Sequence, residues 1–218
     1  MSYFMIDEYK NMEPYIPGEM PHDRKYIKLN ANESSFPPSP AVLRAMDAAR
    51  VNSIAHYSDP NCTELREAIG EVYGFGADQI FVGNGADEVL SFAMMTFFRA
   101  GMKICFPDIT YDFYRTWSKT YRLDYKQFPV DDDLKINADD YVNTDRDVIF
   151  ANPNNPTGQA IPVSDIERIV RANPKRLVII DEAYVDYGNE SCLPLVKNII
   201  IFLLCRHFQN QEICRAQG

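Results

Sequence analysis

The sequence lacks the features that mark membrane, secreted or nucleic-acid-binding proteins. Its longest apolar segment, residues 199–204, is far shorter than the roughly 20 residues that a membrane-spanning helix needs. The N-terminus has no basic flank followed by an apolar stretch, which is the pattern of a secretory signal. The formal net charge is −9, whereas phosphate backbones attract clustered lysine and arginine. We therefore expect a cytoplasmic protein with no nucleic-acid partner and no membrane partner.

Metal-binding and redox motifs are also missing. The five cysteines are widely spaced, none forms a Cys-x-x-Cys pair, and the three histidines are scattered along the chain. This pattern indicates that the cysteines serve as small apolar residues in a reducing compartment. No metal site is predicted.

The first part of the chain has the composition of an arm that lies on a surface. Residues 1–38 contain five prolines, which rarely occur inside regular elements. Ser39 and Pro40 then suit the start of a helix. A second helix is expected after Asn61, with apolar residues on one face and a stop at Gly74.

The remainder of the chain shows the pattern of an α/β protein. Strands are predicted at residues 80–82, 103–106, 123–128, 148–151, 177–180 and 199–204. Several of these runs are continuously apolar, which is typical of strands covered on both faces in a mostly parallel sheet. A capping box, Ser164-x-x-Glu167, is expected to start the helix that precedes the fifth strand. The predicted fold is a mostly parallel sheet flanked by helices.

Ligands of such sheets bind at the carboxyl ends of the strands, so the residues that follow each strand are candidates for a site. Gly83–Glu88 form a glycine turn that opens a helix, which indicates either a phosphate site or an ordinary tight turn. A dinucleotide fingerprint is excluded, because the third glycine of that motif is missing. Tyr111 follows the next strand and can either stack on a flat cofactor ring or belong to the core.

Two further strand ends carry polar residues. The segment 152–158 combines three asparagines with two prolines, a density that loop chemistry alone does not explain. Asp181 ends a fully apolar strand, where a carboxylate is costly to bury unless it is paired. Its partner can be a protonated pyridine nitrogen, or the residue can instead be a helix N-cap. Tyr184, three residues later, can donate to a ring oxygen.

The order of these motifs resembles that of the fold-type I aminotransferases, which use pyridoxal 5′-phosphate. The motifs are G-N-G-A-D-E from Gly83, P-x-x-T-Y-x-x-Y from Pro107, N-P-N-N-P-T-G from Asn152 and D-E-A-Y from Asp181. Within that group, the arm residues 14–18, the segment 29–40 and the sequence H-Y-S-D-P from His56 are similar to the histidinol-phosphate aminotransferase family. The resemblance covers about residues 12–198.

The resemblance implies a role for each matching residue. Gly85, Ala86 and Asp87 hold the cofactor phosphate, Tyr111 stacks on the pyridine ring, and Asp181 pairs with the ring nitrogen. Asn155 and Tyr184 contact the 3′-oxygen, and Tyr57 reaches the cofactor of a partner subunit, which implies a homodimer. Tyr15 and Asn32 lie near the substrate. No catalytic residue can be assigned, because the family's Schiff-base lysine follows a strand that corresponds to 199–204, and no lysine occurs after Lys197.

The tail offers an explanation for the missing lysine. Codons can be chosen for residues 208–218 that encode Ser-Lys-Ser-Arg-Asn and then Ala-Gly-Leu-Arg in shifted reading frames, and both pieces fit the family's lysine motif. We therefore expect an arm at 1–38, an incomplete cofactor-binding large domain at 39–204 and an out-of-frame tail at 205–218. This makes the chain a fragment of the enzyme sequence.

The implied reaction is amino transfer between histidinol phosphate and 2-oxoglutarate in histidine biosynthesis. Its substrates are thus a phosphorylated amino compound and a 2-oxo acid. The chain itself is expected to be inactive without the lysine. The alternatives are another fold-type I enzyme, such as a threonine-phosphate decarboxylase or an amino-acid aminotransferase, or a non-catalytic remnant.

Overall fold

The computed structural model describes residues 4–5, 7–10, 23–24, 26–27, 29–30, 32, 37–46, 55–197 and 202–205, the last four by their backbone alone. The chain divides into two compact units, Met1–Pro37 and Pro38–Gly218. In the first unit, helix α1 spans Asp7–Lys10. The Tyr26 hydroxyl donates to Asp23 at 2.8 Å, and the Arg24 guanidinium lies 4.8 Å from the centre of the Tyr26 ring.

The second unit is built on a parallel sheet of five strands in the order β2-β1-β3-β4-β5. The strands are β1 (Lys103–Pro107), β2 (Asp124–Phe128), β3 (Asp147–Ala151), β4 (Val178–Asp181) and β5 (Phe202–Cys205). The predicted α/β fold with a mostly parallel sheet is confirmed. Because every strand runs in the same direction, all five carboxyl ends meet at one edge.

Helices connect and flank these strands. They are α2 (Pro40–Ala45), α3 (Thr63–Tyr73), α4 (Ala86–Phe97), α5 (Phe113–Thr120), α6 (Ala138–Val142), α7 (Val163–Ala172) and α8 (Leu193–Val196), with short 3₁₀ turns at Ala77–Gln79 and Val185–Tyr187. Ser39 caps α2 by accepting from the Val42 N–H, and Gly74 ends α3 with a φ of 72°. Both predicted helix boundaries are therefore confirmed.

The core lies on both faces of the sheet. Val148, Phe150 and Ile180 pack with α6, α7 and α8 on one face. Ile149 and Ile179 point the other way and pack with α4 and α5. All five side chains have no exposed surface, which explains why these strands are continuously apolar in sequence.

Two sequence expectations are wrong. Residues 80–82 form no strand, because the Ile80 N–H bonds to the Ala77 carbonyl and closes a 3₁₀ turn instead of joining a ladder. The expected capping box does not form either. Helix α7 begins at Val163 with Pro162 at the N-cap position, so Ser164 lies inside the first turn, and Glu167 pairs with Arg171.

Within the described residues, no helix has the length and apolarity needed to cross a membrane. The same part of the chain contains no group of three or more histidine, cysteine or acidic side chains placed to hold a metal ion. Cys62, Cys105 and Cys192 are free thiols.

Candidate functional site

A cavity of about 220 Å³ lies at the edge of the sheet where the strands end. Its lining residues come from four segments that are far apart in sequence. They are Asn84, Gly85, Ala86, Asp87, Tyr111, Ala151, Asn155, Asp181, Ala183 and Tyr184. Seven of the eight residues predicted to bind a cofactor are therefore brought together around one space.

Three further residues, Tyr57, Asn32 and Tyr15, were predicted to belong to the site. Tyr57 is fully exposed and does not line the cavity. Asn32 is exposed and belongs to the first compact unit. Tyr15 is outside the described residues, as are residues 206–218 of the predicted tail 205–218.

The N-terminus of α4 forms one wall of the cavity. Gly85 is the N-cap residue and has a φ of 89°, a conformation that side-chain-bearing residues rarely adopt. A Cβ atom there would meet no other atom within 4 Å. Glycine is therefore favoured at this position by the backbone conformation and not by a lack of space for a side chain. The first N–H groups of an α-helix have no partner within the helix. Those of Ala86 and Asp87 therefore suit an anionic group.

Tyr111 forms a second wall of the cavity and also belongs to an aromatic cluster. Its ring packs against the rings of Phe113, Tyr114 and Trp117, with centroids 5.4, 5.7 and 6.4 Å away. Its hydroxyl donates to Asp87 Oδ1 at 2.7 Å, in the first turn of α4. The ring is only partly buried, so it borders the cavity from a fixed position in the aromatic cluster.

Asp181 is the last residue of β4 and is 5% exposed. Its Oδ1 atom accepts from the Ala183 N–H at 3.0 Å, and its Oδ2 atom accepts from the Tyr114 hydroxyl at 2.9 Å. Burial raises the pKa of Asp181 to about 6, although both hydrogen bonds act to lower it. It does not cap a helix, because the next turn, Val185–Tyr187, has Tyr184 at its N-cap position. A carboxylate can accept about four hydrogen bonds, so Asp181 can still accept from a ligand.

The asparagine-rich segment divides into structural residues and one cavity residue. The Asn152 side chain exchanges two hydrogen bonds with the Ile161 backbone. The Asn154 side chain donates to the Ile109 carbonyl and accepts from the Thr110 hydroxyl at 2.7 Å. Both asparagines are 1% exposed, and only Asn155 lines the cavity. The density of asparagine thus reflects loop bracing as well as a site.

Tyr114 is not among the predicted site residues, although it is the last tyrosine of the P-x-x-T-Y-x-x-Y motif. Tyr114 follows Tyr111 by three residues; Tyr111 precedes α5, Tyr114 lies in its first turn, and the two ring centroids are 5.7 Å apart. That spacing was the available signal.

Glu182 was also missed. It is 1% exposed and accepts from the Ser191 hydroxyl at 2.7 Å and from the Cys192 N–H at 2.5 Å, so it braces the segment that follows the cavity.

The chain is similar to known proteins over most of its length. The family described as aminotransferase class I and II matches residues 24–209. A histidinol-phosphate aminotransferase of Marinomonas sp. (strain MWYL1) is 46% identical over 197 residues, which are 90% of this chain and 56% of that protein. One of Brachyspira hyodysenteriae is 43% identical and covers 97% of this chain and 60% of that protein. The chain thus spans a little over half the length of these relatives.

Solved structures show the same fold. The histidinol-phosphate aminotransferase of Sinorhizobium meliloti, solved in complex with pyridoxal-5′-phosphate, superposes with a TM-score of 0.74 at 24% identity, over 84% of this chain and 51% of that one. The histidinol-phosphate aminotransferase of Clostridium acetobutylicum gives a TM-score of 0.69 at 23% identity, over 83% and 59% of the two chains. The match over residues 24–209 shows that this chain belongs to the class I and II aminotransferase family.

Proposed function

We propose that the strand-end cavity binds pyridoxal 5′-phosphate. The observation that carries the proposal is Asp181, a buried carboxylate that faces a cavity and retains acceptor capacity. A buried carboxylate is stabilised by a cationic partner, and a protonated pyridine nitrogen is one. The first turn of α4 supplies backbone donors for the phosphate in the same cavity.

The remaining lining residues fit the other parts of this ligand. Tyr111 offers an aromatic surface to the ring from its fixed place in the aromatic cluster. Asn155 and Tyr184 carry donors suited to the 3′-oxygen. When bound, the cofactor supplies an electron sink for the bonds of an attached amino compound. The residues of this chain orient the ring and keep its nitrogen protonated.

We further propose that the complete protein transfers an amino group between histidinol phosphate and 2-oxoglutarate. The support is the 46% and 43% identity to histidinol-phosphate aminotransferases over at least nine-tenths of this chain. Tyr15 and Asn32 are the proposed substrate contacts. Exposed Tyr57 is proposed to contact the cofactor of a second subunit in a cytoplasmic homodimer.

The 218 residues are proposed to bind the cofactor without completing the reaction. No lysine occurs after Lys197, so no residue is available at the position where the family resemblance places the covalent attachment and the proton shuttle. We expect the cofactor to be removed by dialysis. After borohydride treatment, peptide mapping should find no specifically labelled lysine; a single labelled lysine at full occupancy would contradict this expectation.

The proposed transaminase activity is tested in two steps, and the first is to determine the DNA sequence that encodes residues 205–218 and continues downstream of them. We expect its codons to contain the shifted triplets for the lysine motif, and codons incompatible with them would exclude the out-of-frame tail. A protein translated through the restored frame is expected to transaminate histidinol phosphate. Preferred release of carbon dioxide from threonine phosphate would instead favour a decarboxylase.

A further inference from the structure

Tyr114 is a buried tyrosine whose hydroxyl bonds to a cavity side chain. It lies in α5 and has no exposed surface. Its ring packs against Phe106, Tyr111 and Trp117, with centroids 6.2, 5.7 and 6.3 Å away. These close contacts restrict the ring, and with it the position of the hydroxyl.

The surroundings of the Tyr114 ring are aromatic and would accept phenylalanine equally well. Burying a hydroxyl is unfavourable unless it forms a hydrogen bond. The Tyr114 hydroxyl donates to Asp181 Oδ2 at 2.9 Å, and the Ala183 N–H donates to the other oxygen. One donor on each oxygen fixes both the position and the rotation of the carboxylate.

The charge state of Asp181 depends on the same contact. Burial raises the pKa of Asp181, the bonds from Ala183 and Tyr114 lower it, and the charges of Asp87 and Glu182 raise it. The phenol hydroxyl therefore opposes the effect of burial and of both acidic neighbours. Without this hydroxyl, the carboxyl group would hold its proton to higher pH and would lose the donor that orients its Oδ2 atom.

We propose that Tyr114 is a positioning residue that holds Asp181 as an oriented carboxylate, so that the cavity selects aromatic ligands with a protonated ring nitrogen. The inference rests on the proposed function, because it concerns how Asp181 recognises the cofactor ring. It adds a residue that does not itself line the cavity. Its role is separate from that of Tyr111, whose hydroxyl bonds to Asp87.

The test compares two ligands that differ only at the ring nitrogen. The full 218-residue chain is titrated with pyridoxal 5′-phosphate and with its 1-deaza analogue, in which a CH group replaces that nitrogen. Tyr114→Phe is expected to weaken binding of pyridoxal 5′-phosphate about tenfold, since hydrogen bonds to charged groups contribute roughly that factor. Binding of the deaza analogue should change by less than about twofold.

A matched control removes the hydroxyl of another tyrosine that contacts Phe106. Tyr125 in β2 stacks on the same Phe106 ring, with centroids 5.6 Å apart. Tyr125→Phe is expected to leave both affinities unchanged. Equal weakening of both ligands by Tyr114→Phe would indicate a purely structural role and overturn the inference, as would unchanged binding of both.

A second measurement separates this inference from the proposed function. Carboxyl ¹³C NMR of the ligand-free chain, with the Asp181 signal assigned through Asp181→Asn, should show a higher pKa for Asp181 in Tyr114→Phe than in the wild type. If the wild type binds neither ligand, the proposed function fails. In that case the NMR titration still tests the effect of Tyr114 on Asp181. A higher pKa of Asp181 in Tyr114→Phe supports the positioning role, and an unchanged pKa overturns it.

Discussion

Two buried ionisable side chains lie at opposite ends of β4 and have different surroundings. Asp181 ends the strand and borders the cavity, and its two bonded donors are a side-chain hydroxyl and a backbone N–H. Arg176 precedes the strand and is 2% exposed. It donates to the carbonyls of Tyr141 and Thr144 at 2.6 and 2.9 Å, and also to that of Ile169.

This difference distinguishes a structural charge from one that we propose to be functional. Arg176 joins α6 to α7 through backbone carbonyls and does not line the strand-end cavity. Burial lowers its pKa, but an arginine stays charged in any case. Asp181 lines the cavity and has no cationic partner among its hydrogen bonds within the described residues, so a ligand is the better explanation for its charge. Burial of an ionisable group therefore indicates function only when the group also faces a cavity.

The largest change in stability is expected from removing the charge of Arg176, at the amino end of β4. Arg176→Met leaves the buried carbonyls of Tyr141 and Ile169 and the partly buried carbonyl of Thr144 without this donor, and each buried unsatisfied group costs about 1–3 kcal/mol. We expect the free energy of unfolding to fall by about 3 kcal/mol or more, as measured by urea denaturation. Arg171→Met is the control, because its exposed pair with Glu167 contributes only about 0.5 kcal/mol. Equal effects of the two changes would refute the structural role of Arg176.

Removing the charge of Asp181, at the carboxyl end of β4, is expected to increase stability. The pKa of Asp181 is raised to about 6, so the folded chain holds this proton at pH values where the unfolded chain has released it. Stability therefore falls as the pH rises from about 4 to 6, and at pH 8 the charge costs about 3 kcal/mol. Asp181→Asn should raise the free energy of unfolding at pH 8 by about that amount and have little effect at pH 3. A loss of stability at pH 8 would show that the charge is structural.

A smaller contrast is expected between two neighbouring asparagines. Asn154→Ala removes side-chain bonds to Ile109, Thr110 and Thr157 and should lower stability by about 2 kcal/mol. Asn155→Ala should leave stability within about 0.5 kcal/mol and weaken cofactor binding. Thermal unfolding and a cofactor titration of each variant measure the two effects. The assignment fails if Asn155→Ala is the more destabilising change.

The sequence predicted the sheet well because burial on both faces produces continuous apolar runs, such as 148–150, that are visible without coordinates. It failed at residues 80–82, where an apolar run follows a 3₁₀ turn and joins no ladder, since local composition does not reveal whether a neighbouring strand is present. The cavity residues were found because strand-end motifs meet at one edge. The Tyr114–Asp181 contact joins residues 67 positions apart, and neither periodicity nor local spacing predicts such a pair.

Equilibrium binding of pyridoxal 5′-phosphate to the wild type and to Asp181→Asn at pH 8 tests the central claim most directly. Asp145→Asn, which removes an exposed carboxylate paired with Lys103, is the control for a general change in charge. We predict saturable binding to the wild type and to the control, and binding about tenfold to a hundredfold weaker in Asp181→Asn, because the charged hydrogen bond to the ring nitrogen is lost. Equal affinity of all three proteins would contradict the assignment of Asp181 as the partner of the cofactor ring.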